Sequence, residues 1–548
     1  MPPAVDSSAP ASLCNVPSVQ PGARPDFQLE RRSLLSAAGK RFAAVAAAAG
    51  LTEATALKRA QAIIPSSHAD VDPGALGPRL VSRITFGITD EEVALFNERG
   101  FSGYLEHHLN YTAIPDTYIQ DRFAGRIAGI PALSTLTMSG EQLSALNNPQ
   151  AQYNELVDAV LLRAVYSKRQ LFERMVDFWS DHFNLDCQLE LVLSFKTLDD
   201  RDTIRPHALG NFGDMLVASA QSPAMLVYLN NDLNTATAPN ENYAREILEL
   251  HSLSTAGGYS QNDVIAVSRC LTGWTMRNAY SIPSYLRGTF RYNDEAHDQG
   301  VKVLSPVFNL TGTGPVIIPA NQPPMKDGLD VLSILARHPS TANFLATKLC
   351  RRFIGEDCPA PVIAQVRAAY LNNGAGVVGD IKSMIRTMLT PNVLYTSGLR
   401  WKRPLHLFAS ALRLLPVTIN TTGALRLHLA DAGHLPFSWG PPDGYPDTLE
   451  YWGSLQGPRW NFASNLVPQT VPVGSSLGGV ITNIGSMLAG TITLDEVMDR
   501  IDTVFFRGEM NPQDKLRIRR YLSASGFTQQ SRNESVGLAL AIPSFQMY

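Results

Sequence analysis

Apolar side chains recur at spacings of three and four over most of the chain from about Val71 onward. Residues 151–183, 205–229, 239–255, 260–274, 327–355 and 361–390 all carry this period, which predicts amphipathic helices. In LVSRITFGITDEEVALFNERGFSGYLEHHL, Thr89 precedes an Asp-Glu-Glu turn and reads as an N-cap, and Gly100 reads as a C-cap. Strand-like alternation is rare. The exception is 283–320, rich in Gly, Pro, Thr and Val, where a small β-hairpin is expected. A second irregular stretch, 431–475, is crowded with Pro, Gly and aromatic residues. No internal repeat at solenoid spacing occurs. The pattern predicts a mainly α-helical protein with long irregular loops, and such loops inside a compact domain are usually functional or disordered.

The first 70 residues depart from this pattern. Residues 1–29 are Pro-, Ser- and Ala-rich, a composition expected to be disordered. ERRSLLSAAGKRFAAVAAAAGL follows, with Arg31, Arg32, Lys40 and Arg41 leading into an apolar stretch from Phe42 to Leu51. Small-residue sites such as Ala60-Gln61-Ala62 lie downstream. That is the layout of an export signal, and the Arg-Arg pair suggests the twin-arginine route. A plain Ala-rich amphipathic helix is the alternative. The expected location is periplasmic or secreted.

Composition narrows the function classes. The chain has 548 residues, 45% hydrophobic and 17% charged, with a formal net charge of −3. No basic run or basic excess exists to neutralise phosphates, so nucleic acid is not an expected partner. No apolar stretch approaches the length needed to span a bilayer. Cys14, Cys187, Cys270, Cys350 and Cys358 form no CxxC pair and no CxxCH site, which argues against a zinc ribbon, a c-type haem and a dense disulfide framework.

Several segments carry a family likeness. FWSDHF (178–183), IRPHALGNFGDML with SPAMLVYLNN (204–231), and NENYAREILELH with GGYSQNDVIAVSRCLTGW (240–274) are three of them. FRYNDEAHDQGVKVL (290–304), GHLPFSWGPPDGY from Gly433, and the closing ALAIPSFQMY are the others. Together, in this order, they resemble the Domain of Unknown Function 1800 family. The resemblance implies one helical unit over 71–548 in a bacterial, often exported protein. It also implies a functional partner from a sulfatase-like family. It supplies no reaction.

NENYAREILELH carries the densest chemistry. At 100° per residue, Asn242, Arg245, Glu246 and Glu249 share a polar stripe. Tyr243, Ile247, Leu248, Leu250 and His251 fill the apolar arc, so His251 reads as a core histidine satisfied by a hydrogen bond. One reading of the stripe is a solvated face with an intrahelical Arg245–Glu249 pair. The other places Glu246 and Glu249 in a cleft, where environment splits them into acid and base. The family's motif, asparagines before Ala-Arg-Glu-x-x-Glu, implies the cleft.

In FWSDHF, Glu173, Asp177, Ser180 and Asp181 share the polar arc while His182 faces inward and needs a partner. It is either a buried structural histidine or meets a charged group from another segment. His297-Asp298, followed by Lys302, is a candidate partner. His182, His297 and Asp298 suit a divalent metal such as zinc, manganese or iron. With Glu246 and Glu249 they equally suit metal-free acid–base hydrolysis.

Gly474-Ser475-Ser476-Leu477-Gly478 matches a nucleophile elbow, but the last histidine, His434, precedes the serine, so it reads as a flexible loop. Trp439, Tyr445, Tyr451, Trp452 and Trp460 either stack on sugar rings or pin the 431–475 loop to the core. The expectation is an exported hydrolase, acting on a polysaccharide or other extracellular substrate, with Glu246, Glu249, His182 and Asp298 catalytic. Asn242, Arg245, Trp274, Lys302 and Trp452 are the expected substrate contacts. A metal-binding redox protein and a non-catalytic envelope or binding protein are the alternatives.

Overall fold

The computed structural model describes residues 76–146, 148–277, 288–467 and 477–548. The export segment and most of the Gly474–Gly478 match lie outside them. The fold is mainly α, with three small two-stranded antiparallel sheets. One contiguous apolar core draws on elements from Leu76 to Phe545. No helix among the described residues is long and apolar enough to cross a membrane.

Six helices position the chemistry: α1 (Gly77–Ile84), α2 (Gln170–His182), α3 (Asn242–Glu249), α4 (Gln261–Cys270), α5 (Pro339–Phe353) and α6 (Pro404–Leu414). Pro lies in the first turn of α1, α5 and α6, where its missing N–H costs no hydrogen bond. Thr89 caps its helix as expected, accepting a bond from the Glu92 N–H at 3.3 Å. Gly100 does not end that helix. It adopts φ +66° as a kink, and helix resumes to Leu109. The long periodic runs are also subdivided. Helix over 151–183 breaks at residues 167–169, and helix over 327–355 breaks at His338-Pro339, because Pro disfavours a helical predecessor.

The strands are β1 (Trp274–Met276), β2 (Phe290–Tyr292), β3 (Lys302–Leu304), β4 (Val316–Ile318), β5 (Val417–Ile419) and β6 (Val480–Thr482). The expected hairpin in 283–320 is β3 paired with β4, Lys302 opposite Ile318. β2 pairs back to β1 instead, with Trp274 opposite Tyr292.

The 431–475 loop is largely anchored. Tyr445 and Trp452 form a satellite apolar cluster with Trp401 and Met547, flanked by Trp439 and Tyr451. The closing residues add one short pairing. The Arg400 N–H donates to the Tyr548 carbonyl, the Tyr548 N–H donates to the Arg400 carbonyl, and the Lys402 N–H donates to the Gln546 carbonyl, each at 2.8 Å. That pairing lays Tyr548 alongside the basic strap LRWKR that leads into α6.

Candidate active site

Polar residues at helical spacing build the site's core. Arg174, Asp177 and Asp181 stand at i, i+3 and i+7 on α2, hence on one face. Arg352 of α5 meets that face. Its Nη1 donates to Asp177 at 2.8 Å, its Nη2 to Asp181 at 2.5 Å and its Nε to Asp447 at 2.7 Å. Arg403 adds a second bond to Asp181 at 2.5 Å and another to His434 Nε2 at 2.8 Å. Burial pushes the Asp447 carboxyl up, but Arg352, Arg403 and Arg400 together hold it well below the usual carboxylate range.

The cations outnumber the anions here. Arg83, Arg174, Arg352, Arg400 and Arg403 are all buried, against the three carboxylates of Asp177, Asp181 and Asp447. Five against three leaves an excess of positive charge inside the protein. A buried charge without a partner is costly, so such an excess favours an anion.

Tyr548 receives part of it. Arg174 Nη2 donates to the phenol oxygen at 3.1 Å, and Arg83 lies over the ring with its Cζ 5.1 Å from the centroid. Burial alone would raise the phenol. Arg174, Arg400 and Arg83 outweigh it and bring the phenol down to about 8. The other arm of Arg174 donates to His406 Nδ1 at 2.9 Å, so that nitrogen carries a lone pair and His406 is neutral. Burial, with Arg174 and Lys402 nearby, holds His406 well below the ordinary histidine range.

Tyr548, His406 and Lys402 line a cavity of about 520 Å³ whose walls include Leu399, Phe505, Phe506 and Phe545. That size suits a small organic ligand. Lys402 is 7% exposed, and its Nζ sits 4.0 Å from the centre of the Phe545 ring. No acceptor among the described residues bonds to it. Burial, with Arg459 adding repulsion, lowers the ammonium to about 7.

The residues singled out from sequence fall into three places. Glu246 and Glu249 are half-buried on α3 with no hydrogen-bond partner for either side chain among the described residues. Burial raises Glu246, and Glu249 and Asp443 raise it further. Arg245 pairs with Glu241 at 3.1 Å and with Gln261 at 3.0 Å, not with Glu249. Its register puts it one turn toward the helix start. Asn242 is exposed and donates to Asn230 at 3.3 Å.

His182 is inward and fully engaged. Its Nε2 donates to the His251 carbonyl at 3.1 Å, and its Nδ1 accepts from Lys348 Nζ at 3.1 Å. The charged partner from another segment is therefore a lysine. Burial lowers Lys348 to about 8, despite Asp181 and Asp447. His251 is core, as expected, but neither ring nitrogen has a hydrogen-bond partner among the described residues.

His297 and Asp298 belong to a third cluster. His297 bonds through Nδ1 to the Thr272 carbonyl at 2.8 Å and through Nε2 to Asp327 at 3.3 Å. Asp298 takes both arms of Arg269 at 2.7 and 3.1 Å. Lys302, fully buried, pairs with Asp327. Trp274 is fully buried against Gly328 and Phe290. Trp452 is 1% exposed and donates to the Pro446 carbonyl at 2.6 Å, pinning its loop. His297, Asp298, Lys302, Trp274 and Trp452 lie outside the lining of the 520 Å³ cavity that Lys402 and Tyr548 share. His297 and Asp298 share no bonded partner with His182, which bonds to the His251 carbonyl just past α3, while Lys348 beside His182 and Glu246 on α3 both feel the charge of Asp443. Among the described residues no group of three or more His, Cys, Asp or Glu side chains is placed to hold a metal ion.

Sequence reasoning passed over Arg174, Lys402, His406 and Tyr548. One signal was available. LRWKRPLH sets three cations among apolar residues directly before a Pro-started helix, an unusual density for a segment that must pack.

A family model described as a protein of unknown function, DUF1800, matches residues 79–547. No curated protein and no solved structure matches the chain.

Proposed function

We propose that this chain, which belongs to the DUF1800 family, is an enzyme of the general acid–base class. Its substrate is a small molecule with an anionic group and an apolar body. The observation that carries the reading is the position of Tyr548, where the 520 Å³ cavity meets the excess of buried arginines. Arg79 and Arg507 line the cavity, the buried arginines behind Tyr548 add positive charge, and guanidinium recognises carboxylate and phosphate through paired N–H donors. The aromatic wall of Phe505, Phe506 and Phe545 takes the apolar body. A phenol near 8 exchanges a proton close to neutral pH, which is what a general acid or base requires.

Calorimetric titration with phenyllactate, an aryl carboxylate, tests the reading. Binding should occur in the wild type and weaken by about 10-fold or more in Arg174→Gln, the usual weight of a hydrogen bond to a charged group. Binding unchanged in Arg174→Gln at full folding would overturn the arginine-side assignment.

A second reading keeps acid–base hydrolysis at the α3 carboxylates, with a polysaccharide as substrate. It is favoured by Glu246, whose half-buried carboxyl has no bonded partner among the described residues and faces the charges of Glu249 and Asp443. Export remains our proposal on the Arg31–Leu51 pattern, checked by sequencing the N-terminus of the mature protein.

A further inference from the structure

The cavity holds a nucleophile that acid–base chemistry at Tyr548 does not use. We propose that Lys402 is an amine nucleophile that forms an imine with a carbonyl-bearing carboxylate entering the cavity, a proposal that rests on the ligand reading given above. Lys402 lines the cavity, its side chain is buried, and no acceptor among the described residues bonds to its nitrogen. A lysine placed for structure normally meets a carboxylate, as Lys196 does with Asp199 at 2.6 Å and Lys302 does with Asp327. Lys402 has instead the Phe545 ring at 4.0 Å and Arg459 as its charged neighbour. The ring face attracts an ammonium, but burial and the like charge of Arg459 outweigh it and leave the free amine with its lone pair available. Desolvated lysines of this kind are nucleophiles toward carbonyl substrates.

The step balances without an oxidant or a reductant. The amine lone pair attacks the carbonyl carbon, and the former carbonyl oxygen becomes the hydroxyl of a carbinolamine after proton transfer. The hydroxyl leaves as water after taking a proton, for which the Tyr548 phenol, lining the same cavity, is the available acid. One C=N bond replaces one C=O bond, and one water is released. Arg79 and Arg507 in the lining, with the buried arginines behind Tyr548, account for the carboxylate on the substrate, and the phenylalanine wall accounts for an apolar remainder. A ketone or aldehyde next to a carboxylate, on an aryl or alkyl body, is the class that fits.

Phenylpyruvate with cyanoborohydride tests this in the full chain, with intact mass and peptide mapping as the readout. Phenyllactate, which has the same body and no carbonyl, is the control ligand. A single reduced adduct at Lys402 is expected. It should be suppressed by excess phenyllactate, absent in Lys402→Arg, and formed faster as pH rises through about 7. If phenyllactate binds yet no adduct forms at Lys402, the nucleophile is wrong while the ligand site stands. If neither compound binds, the ligand reading falls and the imine falls with it. Label spread over surface lysines and left intact by Lys402→Arg also overturns the proposal.

Discussion

Arg174 holds Tyr548 and His406 with the two arms of one guanidinium, donating to the phenol oxygen at 3.1 Å and to His406 Nδ1 at 2.9 Å. One side chain therefore sets both the charge of the phenol and the tautomer of the imidazole. Arg174→Lys keeps a charge but cannot span both partners. The phenol should titrate higher than in the wild type, and phenyllactate should bind more weakly. Ultraviolet difference titration and calorimetry check these two outcomes. An unchanged phenol in Arg174→Lys would show that Arg83 and Arg400 suffice.

Lys402 gives a pH-dependent stability with a definite sign. Its ammonium is lowered to about 7 in the folded chain and sits near 10.4 in an unfolded one. Between those values the unfolded chain binds the extra proton, so stability rises with pH across that window. Lys402→Met keeps the length and removes the titration. The variant should be the more stable protein at pH 7 and below, on the order of a few kcal/mol. The advantage should shrink toward pH 10. Melting curves of both proteins from pH 6 to pH 10 check it, and a constant difference would count against a depressed lysine.

His251 and His182 lie side by side, with ring centroids 6.1 Å apart, yet they predict opposite outcomes. The His251 nitrogens have no partner among the described residues, so His251→Phe removes buried polar atoms without breaking a bond. Stability should hold or rise by about 1 kcal/mol. His182→Phe strands the His251 carbonyl and Lys348, and should cost roughly 1–3 kcal/mol. Chemical denaturation of the two variants reads the contrast directly.

Glu246→Gln separates the two functional readings. If the carboxylates of α3 are catalytic, hydrolysis should fall by about 10²-fold. If the chemistry sits at Tyr548, phenyllactate binding and the Lys402 adduct should be untouched. Glu246 is raised in the folded chain, so the native state holds its proton longer and stability declines as pH rises through that window. The variant should lose that decline.

The helices were legible because their signal is local. The spacing of Ile247 and Leu248 against Glu246 and Glu249 placed α3 with its apolar arc inward, and Thr89 capped where its side chain allowed. Helix breaks were less legible, since a kink at Gly100 needs only one residue of positive φ. The site was mostly illegible. Arg174, Arg352, Lys402 and Tyr548 come from four distant segments, and nothing in their spacing says they meet. Dense local clusters misled in turn. His297-Asp298 looks like a ligand pair, but Arg269, Thr272 and Asp327 occupy its donors and acceptors. Those partners lie up to 30 residues away. Trp452 looks like a sugar platform, yet its indole is committed to its own loop.

The central claim is that buried arginines make Tyr548 an acid near neutral pH. Its most direct test is ultraviolet titration of the native protein against Tyr548→Phe. The account predicts one phenolate per chain appearing with a midpoint about 8, absent from the variant. A titration in which the two proteins coincide until the ordinary tyrosine range near 10 would contradict it.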